Sequence, residues 1–369
     1  MKPLLVDLET EWRGGQNQAL LLLKGLHARG HAAELVAAHG SSLGQRAAAS
    51  GIPVHYTSRG FFRFAAARRI RQLLRSEKFD LVHANEAHAV TAAWLAQLER
   101  AADRRVPLII SRRVGYPIGK NFLAQARYRS AARVVAISRW SAENAVRSGV
   151  PQAQISIVNE GVEIPALPTP EARAAARRHW GIGPETRLLG CVGALSPDKG
   201  QEYLIRALVA IREKFPDARL LLAGDGPSRS RLELLARELN VGDGVMFAGF
   251  VTQVAHVYAA LDVFLLPSLF EALSNALMSA MAYGVPSIGF NCGGPAEIIE
   301  HGRSGLLVEK EDVPQLTASI SALLADLGAA KALGAAGRQR IEQHFSADKM
   351  VAGVAQIYAQ ILTLPLTTS

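Results

Sequence analysis

The sequence predicts an α/β protein built as two doubly wound, Rossmann-like parallel sheets. Three observations predict it. Short apolar runs alternate with helical patterns from the first residues onward, the same order starts again after a proline-rich stretch near the middle, and 369 residues exceed what one ordinary core holds. Apolar residues make up 49% and charged residues 20% of the chain, with no polar low-complexity tract, so both halves have the material for a core.

In the first half, runs of four or five residues rich in Leu, Val and Ile mark strands at Leu4–Leu8, Glu34–Ala37, Leu81–Ala84, Leu108–Ser111 and Val134–Ile137. Helical patterns follow at about Gly15–Arg29 and at Trp140–Ser148. The stretch Ser156–Ala172, SIVNEGVEIPALPTPEA, is rich in proline and turn residues and reads as the interdomain linker. Strands then recur at Leu188–Val192, Leu220–Ala223, Val245–Ala248, Val263–Leu266 and Ser287–Gly289, each followed by a helical segment. The expected domains are residues 1–164, residues 165–345, and a C-terminal helix at 346–369 that returns to the first domain. Such halves are expected to face a central cleft with the C-terminal ends of their strands, where ligands bind in open α/β sheets.

Charge is unevenly spread. Residues 1–150 hold 23 Lys and Arg against 10 Asp and Glu, a net +13, and residues 151–369 hold 18 against 22, a net −4. A basic half points to nucleic acid, anionic lipid or phosphorylated substrates. Only 6% of residues are aromatic and no helix-turn-helix, zinc-finger or RNA-binding signature occurs, which argues against nucleic acid. Cys191 and Cys292 stand far apart without metal-ligand spacing and read as buried small hydrophobes. With no secretory n-region and no apolar run approaching about 18 residues, the expected location is the cytoplasm.

The loops after the strands carry the chemistry. Gly14 and Gly15 precede a helix and suit either backbone approach to an anion or a strand-to-helix turn with positive φ. In CVGALSPDKGQEYLIRAL, Lys199 stands at a strand's end before a helix, where a lysine serves as a phosphate ligand. In LLAGDGP, Gly224 and Gly226 bracket Asp225, with a turn role and a ligand contact both open.

Together with VVAISRWSAENAVRSGVPQAQISIVNEGVE, FAGFV and the block FEALSNALMSAMAYGVPSIGFNCGGPAEIIEHGRSGLLV, these motifs resemble family-four glycosyltransferases (group 1 type) over nearly the whole chain. The resemblance implies the GT-B fold and a retaining, metal-independent transferase of the hexosyltransferase type. Such an enzyme moves a sugar from a nucleotide-diphosphate donor to a hydroxyl of a glycan or lipid-linked acceptor in polysaccharide or lipopolysaccharide biosynthesis, without a cofactor. It implies that Glu271, the first acid of an E-x(7)-E motif, accepts hydrogen bonds from donor-sugar hydroxyls and stabilises oxocarbenium character, and that Lys199 stabilises the leaving diphosphate. Amides of Leu273, Ser274 and Asn275, with Ser274 as N-cap, would face the diphosphate, and the Val251 backbone would hold the base. No Asp-x-Asp occurs, consistent with basic groups and helix dipoles in place of a metal.

Three positions depart from the family pattern. Ala194 stands where an arginine is usual, which removes a phosphate cation. Arg113, in LIISRRVGYP, aligns with a loop that often carries histidine and reads as a contact to the diphosphate or a phosphorylated acceptor, or as a plain surface arginine. Ser279 replaces the second acid, which the resemblance assigns to the ribose. Ala194 and Ser279 suggest a rival reading, a catalytically weak GT-B-like binding or regulatory subunit, and a sugar-nucleotide epimerase is a third.

RGFFRFAAARRIRQLLRSEKFD adds an amphipathic basic helix, with Phe62, Ala66, Ile70 and Leu73 along one stripe and Arg68, Arg71 and Arg75 along another. It reads either as a Rossmann helix with a solvated charged face or, with Phe61 and Phe62 beside the arginines, as a peripheral contact to an anionic plasma-membrane inner face.

Overall fold

The first five-residue strand, β1 (Pro3–Asp7), shows how the sequence builds a layered unit: Leu4 and Val6 enter the core on one face of the sheet and Leu5 the core on the other. Val36 and Leu35, Val82 and Leu81, and Ile110 and Ile109 divide the same way, so both faces are apolar and covered, as an all-parallel sheet requires. The computed structural model describes residues 1–57, 62–98, 105–119 and 121–363. It divides into two units, Met1–Gly161 with the chain from Ala347 on, and Val162–Ser346.

Unit 1 runs β1, α1 (Gly14–Ala28), β2 (Glu34–Ala37), α2 (Ser42–Ala49), β3 (Val54–Tyr56), α3 (Phe62–Ser76), β4 (Leu81–Ala84), α4 (Ala87–Gln97), β5 (Leu108–Arg112), α5 (Phe122–Arg129), β6 (Arg133–Ala136), α6 (Arg139–Arg147) and β7 (Ile155–Ile157). Its strands form one parallel sheet in the order β3-β2-β1-β4-β5-β6-β7. The order reverses direction between β1 and β4, which makes their C-terminal ends the switch point where a crevice opens in such sheets.

Unit 2 runs α7 (Pro170–His179), β8 (Leu188–Val192), α8 (Gln201–Lys214), β9 (Arg219–Ala223), α9 (Arg229–Glu238), β10 (Val245–Gly249), α10 (Ala255–Ala260), β11 (Val263–Leu266), α11 (Asn275–Ala282), β12 (Ser287–Phe290), α12 (Pro295–Ile298), β13 (Leu306–Val308), α13 (Val313–Ala325) and α14 (Leu327–His344). Its parallel sheet has the order β10-β9-β8-β11-β12-β13, with the switch point between β8 and β11.

The last helix, α15 (Ala347–Thr363), belongs to unit 1 and buries Val351, Val354, Ile357, Tyr358 and Ile361 in the core shared with α1. A Cβ at Gly25 would lie 2.4 Å from a Val351 methyl, so the two helices touch where α1 has no side chain. The Tyr358 hydroxyl meets His83 Nδ1 at 2.6 Å, and His83 Nε2 meets Ser111 Oγ at 2.8 Å. Burial, with the nearby Arg113 charge, pulls the His83 pKa down to about 3, so a neutral ring ties α15 to the sheet.

The Ser156–Ala172 stretch is not linker throughout: Ser156 and Ile157 pair with β6, and Pro170–Ala172 open α7 behind the Thr169 cap. Among the described residues, no single helix is long and apolar enough to cross a membrane.

Candidate active site

Two loops flank the switch point of unit 2, and glycines bring them together. After β8, the Gly193 and Leu195 amides donate to the carbonyls of Ala223 and Asp225, each at 3.0 Å. A Cβ at Gly224 would fall 1.8 Å from the Gly193 carbonyl oxygen, so this glycine serves close backbone packing. Gly200 ends the short turn Pro197–Lys199 at φ 64°, and a Cβ there would meet the Pro267 carbonyl oxygen at 2.2 Å. The Leu269 amide completes the seam by donating to the Asp198 carbonyl at 2.8 Å.

This seam sets Lys199 against Glu271. Lys199 Nζ donates to Glu271 Oε2 at 2.7 Å, and Ser268 Oγ donates to the same oxygen at 3.2 Å. The side chains are 26% and 15% exposed, so the pair is sheltered but open on one side. Burial acts to lower the Lys199 pKa, but the charge and hydrogen bond of Glu271 outweigh it, and the amine is held above its ordinary value. The Glu271 loop is held from behind: its carbonyl accepts from the Gly294 amide at 2.8 Å, and a Cβ on Gly294 would lie 2.6 Å from Leu273 Cα. Buried Cys292 donates to the Ser268 carbonyl at 2.9 Å, and burial pushes its thiol up to about 11 and that of Cys191 to about 12. Both cysteines are free and buried, so neither is a reactive thiolate.

Ser274 caps α11, accepting from the Leu277 amide at 3.3 Å, and Leu273 and Asn275 flank it where the helix opens. One turn further on, Ser279 lies beside the hydroxyl of Tyr258, a phenol whose pKa burial raises far above its ordinary value while the Ser279 hydroxyl acts against the rise. No motif signals this partnership, which spans 21 residues. Val251 is half-buried just after β10, and exposed Ala194 accepts a 2.9 Å hydrogen bond from Gln201 at its carbonyl.

The switch point of unit 1 carries a second polar group. Buried Asp7, at the end of β1, accepts from Asn85 Nδ2 at 2.5 Å, from Gln16 Nε2 at 3.1 Å and from the Glu9 amide at 3.1 Å. Burial raises its pKa, and these hydrogen bonds act against the rise. Arg113 donates to Asn85 Oδ1 at 2.7 Å and to buried Glu160. At 14% exposure it is not a plain surface arginine. Its stem lies 3.6 Å from where a Gly15 Cβ would be. Gly14 and Gly15 form the first turn of α1 and neither has positive φ, so the positive-φ account of this pair fails. Asn85, Asp7 and Glu160 escaped sequence reasoning because they lie on three distant segments.

The basic helix α3 packs the apolar stripe of Ala66, Ile70 and Leu73 into the unit-1 core. Arg71 donates to the Leu95 and Ala96 carbonyls, while Arg68 and Arg75 are exposed. Phe61 and the Phe62 side chain lie outside the described residues. Two groups among the described residues bring carboxylate and imidazole atoms together. In Glu34, His55 and Glu77 the carboxylates are bridged by Lys2, at 2.9 and 2.5 Å. In Glu9, Glu86 and His88, Glu86 caps α4 and His88 accepts from Arg63 at 3.0 Å.

The sequence matches the family of Glycosyl transferases group 1 over residues 172–340 and Glycosyltransferase Family 4 over residues 12–164. It is 30% identical over 312 residues to the GDP-mannose-dependent alpha-(1-6)-phosphatidylinositol monomannoside mannosyltransferase of Mycolicibacterium smegmatis, covering 80% of each chain. It is 26% identical over 322 residues to the N-acetyl-alpha-D-glucosaminyl L-malate synthase of Bacillus anthracis, covering 81% of this chain and 79% of that one. In fold it is similar to a glycosyltransferase from Rickettsia africae, with a TM-score of 0.88 at 20% identity and 99% of each chain covered. Anabaena HepE in complex with UDP and glucose gives a TM-score of 0.84 at 21% identity, covering 98% of this chain and 100% of that one. With its two parallel sheets of seven and six strands, the chain belongs to the group 1, family-four glycosyltransferases and is a glycosyl-transferring enzyme of the GT-B fold.

Proposed function

We propose that this enzyme moves a sugar from a nucleotide-diphosphate donor to a hydroxyl of a glycan or lipid-linked acceptor, with retention and without a metal. The observation that carries the proposal is the Lys199–Glu271 pair at 2.7 Å across the unit-2 switch point. A donor diphosphate entering beside α11 draws the Lys199 ammonium toward its phosphates and releases Glu271 to accept from sugar hydroxyls. As the glycosidic bond loosens, Glu271 stabilises the positive charge growing on the sugar ring, and Lys199 stabilises the negative charge on the departing diphosphate. The α11 N-terminus, through the amides of Leu273, Ser274 and Asn275, adds its dipole to the phosphate side. The Val251 backbone holds the base, Ser279 reaches the ribose, and the Gly224 loop keeps the Lys199 loop in place. In this reading Arg113 backs the Gly14–Gly15 loop, because Glu160 and Asn85 already take its donors.

A lipid-linked acceptor is supported by a relative whose name specifies a phosphatidylinositol mannoside, while the malate named for another relative supports only a hydroxyl acceptor. The test is turnover with GDP-mannose and with UDP-glucose, with and without a hydroxyl acceptor, in buffer containing EDTA. The expected result is donor consumption only with acceptor, unaffected by EDTA, giving a product with the donor's anomeric configuration by NMR. Interconversion of donor without acceptor would make the enzyme an epimerase, and an inverted product or loss of activity in EDTA would overturn retention or metal independence respectively.

A further inference from the structure

Along the C-terminal edge of the unit-2 sheet, Lys199 follows β8, Glu271 follows β11 and Lys310 follows β13, in the order of the strands across the sheet. A cation, a carboxylate and a second cation thus share one edge. The first two form the pair described above. The third has no such partner: among the described residues, no carboxylate forms an ion pair with Lys310. Its ammonium stands 5.6 Å from the centroid of the Phe270 ring, and Phe270 immediately precedes Glu271 and is 57% exposed.

The turn that carries Lys310 is fixed on both sides. The Asn291 amide donates to the Val308 carbonyl at 2.7 Å, and Asn291 Nδ2 donates to Glu309 Oε1 at 3.0 Å. The Glu309 amide donates to Gln315 Oε1 at 2.7 Å, and Asp312 caps α13 by accepting from the Gln315 amide at 2.9 Å. Glu311 is held at φ 68°, a left-handed conformation that residues other than glycine seldom adopt. Its carboxylate lies near Tyr203, whose pKa is raised by burial and then by that charge. Backbone strain kept in place by surrounding contacts is characteristic of functional segments. Here it leaves Lys310 unpaired between two acidic neighbours.

Lys310 also acts on the pocket that holds the pair. Burial and then Glu271 raise the Cys292 thiol, while Lys310 and Lys199 act against the rise. Strands two apart are about 10 Å apart, a span that a lysine leaning over Phe270 shortens. On the proposed function, on which this inference rests, Lys199 takes the diphosphate and Glu271 the sugar hydroxyls, so the next position along the edge falls beyond the sugar. We propose that Lys310 is a donor-specificity residue that pairs with a carboxylate on the transferred sugar, as in a nucleotide-diphosphate hexuronic acid. The Phe270 ring steadies the ammonium through its face and leaves N–H donors for the carboxylate. Glu271 repels an acidic sugar, and Lys310 offsets that repulsion.

The test is calorimetric titration of the full chain with UDP-glucuronate against UDP-glucose, GDP-mannuronate against GDP-mannose, and UDP and GDP alone. In the base series that binds, the acidic sugar is expected to bind at least about tenfold tighter than the neutral one, the scale of a charge-assisted hydrogen bond. The ratio should shrink as salt is added. Lys310→Gln should remove or reverse the preference and Lys310→Arg should keep it. Lys310 is exposed, so both variants should melt within about 2 °C of the parent. Equal or weaker binding of the acidic sugar by the parent, or an unchanged ratio in Lys310→Gln, would overturn this proposal alone, provided UDP or GDP still binds. Failure of every nucleotide to bind would overturn the proposed function and this inference with it.

Discussion

The two switch points of this enzyme occupy equivalent places in two similar sheets, and their charges are arranged in opposite ways. In unit 1, Asp7, Gln16, Asn85, Arg113 and Glu160 satisfy one another within a sheltered network. In unit 2, Lys199 and Glu271 rest mainly on each other, and the pair is the more exposed of the two. A saturated network resists change because breaking it leaves buried groups unpaired. A two-membered pair can exchange each partner for a ligand of the right charge. On the proposed function, equivalent topology yields a brace in one unit and the donor site in the other.

The comparison can be broken from either side. Arg113→Ala should have the largest effect, on stability: it removes the cation that faces Glu160, a side chain only 6% exposed, and losing one partner of a buried ion pair costs about 3 to 5 kcal/mol. Chemical denaturation would show this as a lower midpoint at unchanged slope. A loss under about 1 kcal/mol would mean the network is no brace. Lys199→Ala should act on binding: the loss of a charge-assisted bond weakens a nucleotide diphosphate by about 1.5 to 3 kcal/mol and leaves the nucleoside nearly unaffected. Exposed Ala194 offers no second cation to soften the loss. Calorimetric titration of both ligands checks it, and equal affinities in variant and parent would remove Lys199 from the phosphate assignment.

The smallest effect is expected at Ser279. A carboxylate bond to ribose exceeds a neutral hydroxyl bond by about 1 kcal/mol, so Ser279→Glu should tighten nucleotide binding by that amount and leave the maximal transfer rate nearly unchanged. The Tyr258 hydroxyl beside Ser279 sharpens the test, because the longer side chain must also accommodate that phenol. Clearly weaker binding in titration would mean that Ser279 serves Tyr258 and the local packing and does not contact the ribose.

The sheets were legible because buried parallel strands are continuous apolar runs: Glu34–Ala37, Leu81–Ala84, Leu188–Val192 and Val263–Leu266 read from sequence with the bounds the structure gives them. The edge strands β3, β7 and β13 were not, being three residues long: β3 and β7 carry polar residues and leave Tyr56 at 39% and Ile157 at 47% exposure, and the apolar run of β13 is too short to stand out. At the site, Glu271 and Lys199 were recognisable from their motifs. Their direct pairing was not, because it spans 72 residues and depends on the close approach of Gly200 to Pro267. The Asp7–Asn85–Arg113–Glu160 network was hidden for the same reason, since spacing along one segment carries no record of which distant loops a sheet order brings side by side.

The same chemical change made at each switch point measures the central claim most directly. Glu271→Gln and Glu160→Gln each remove one charge and keep size, and kcat at saturating donor and acceptor can be compared with the melting temperature of each variant, below both melting points. The account predicts that Glu271→Gln lowers kcat about 100-fold or more, the scale of one lost transition-state electrostatic contact, with melting and nucleotide affinity near the parent's. Glu160→Gln should lower the melting temperature and leave kcat within about threefold, less than the loss of such a contact. Near-normal turnover in Glu271→Gln, or a collapse of kcat in a stably folded Glu160→Gln, would contradict it.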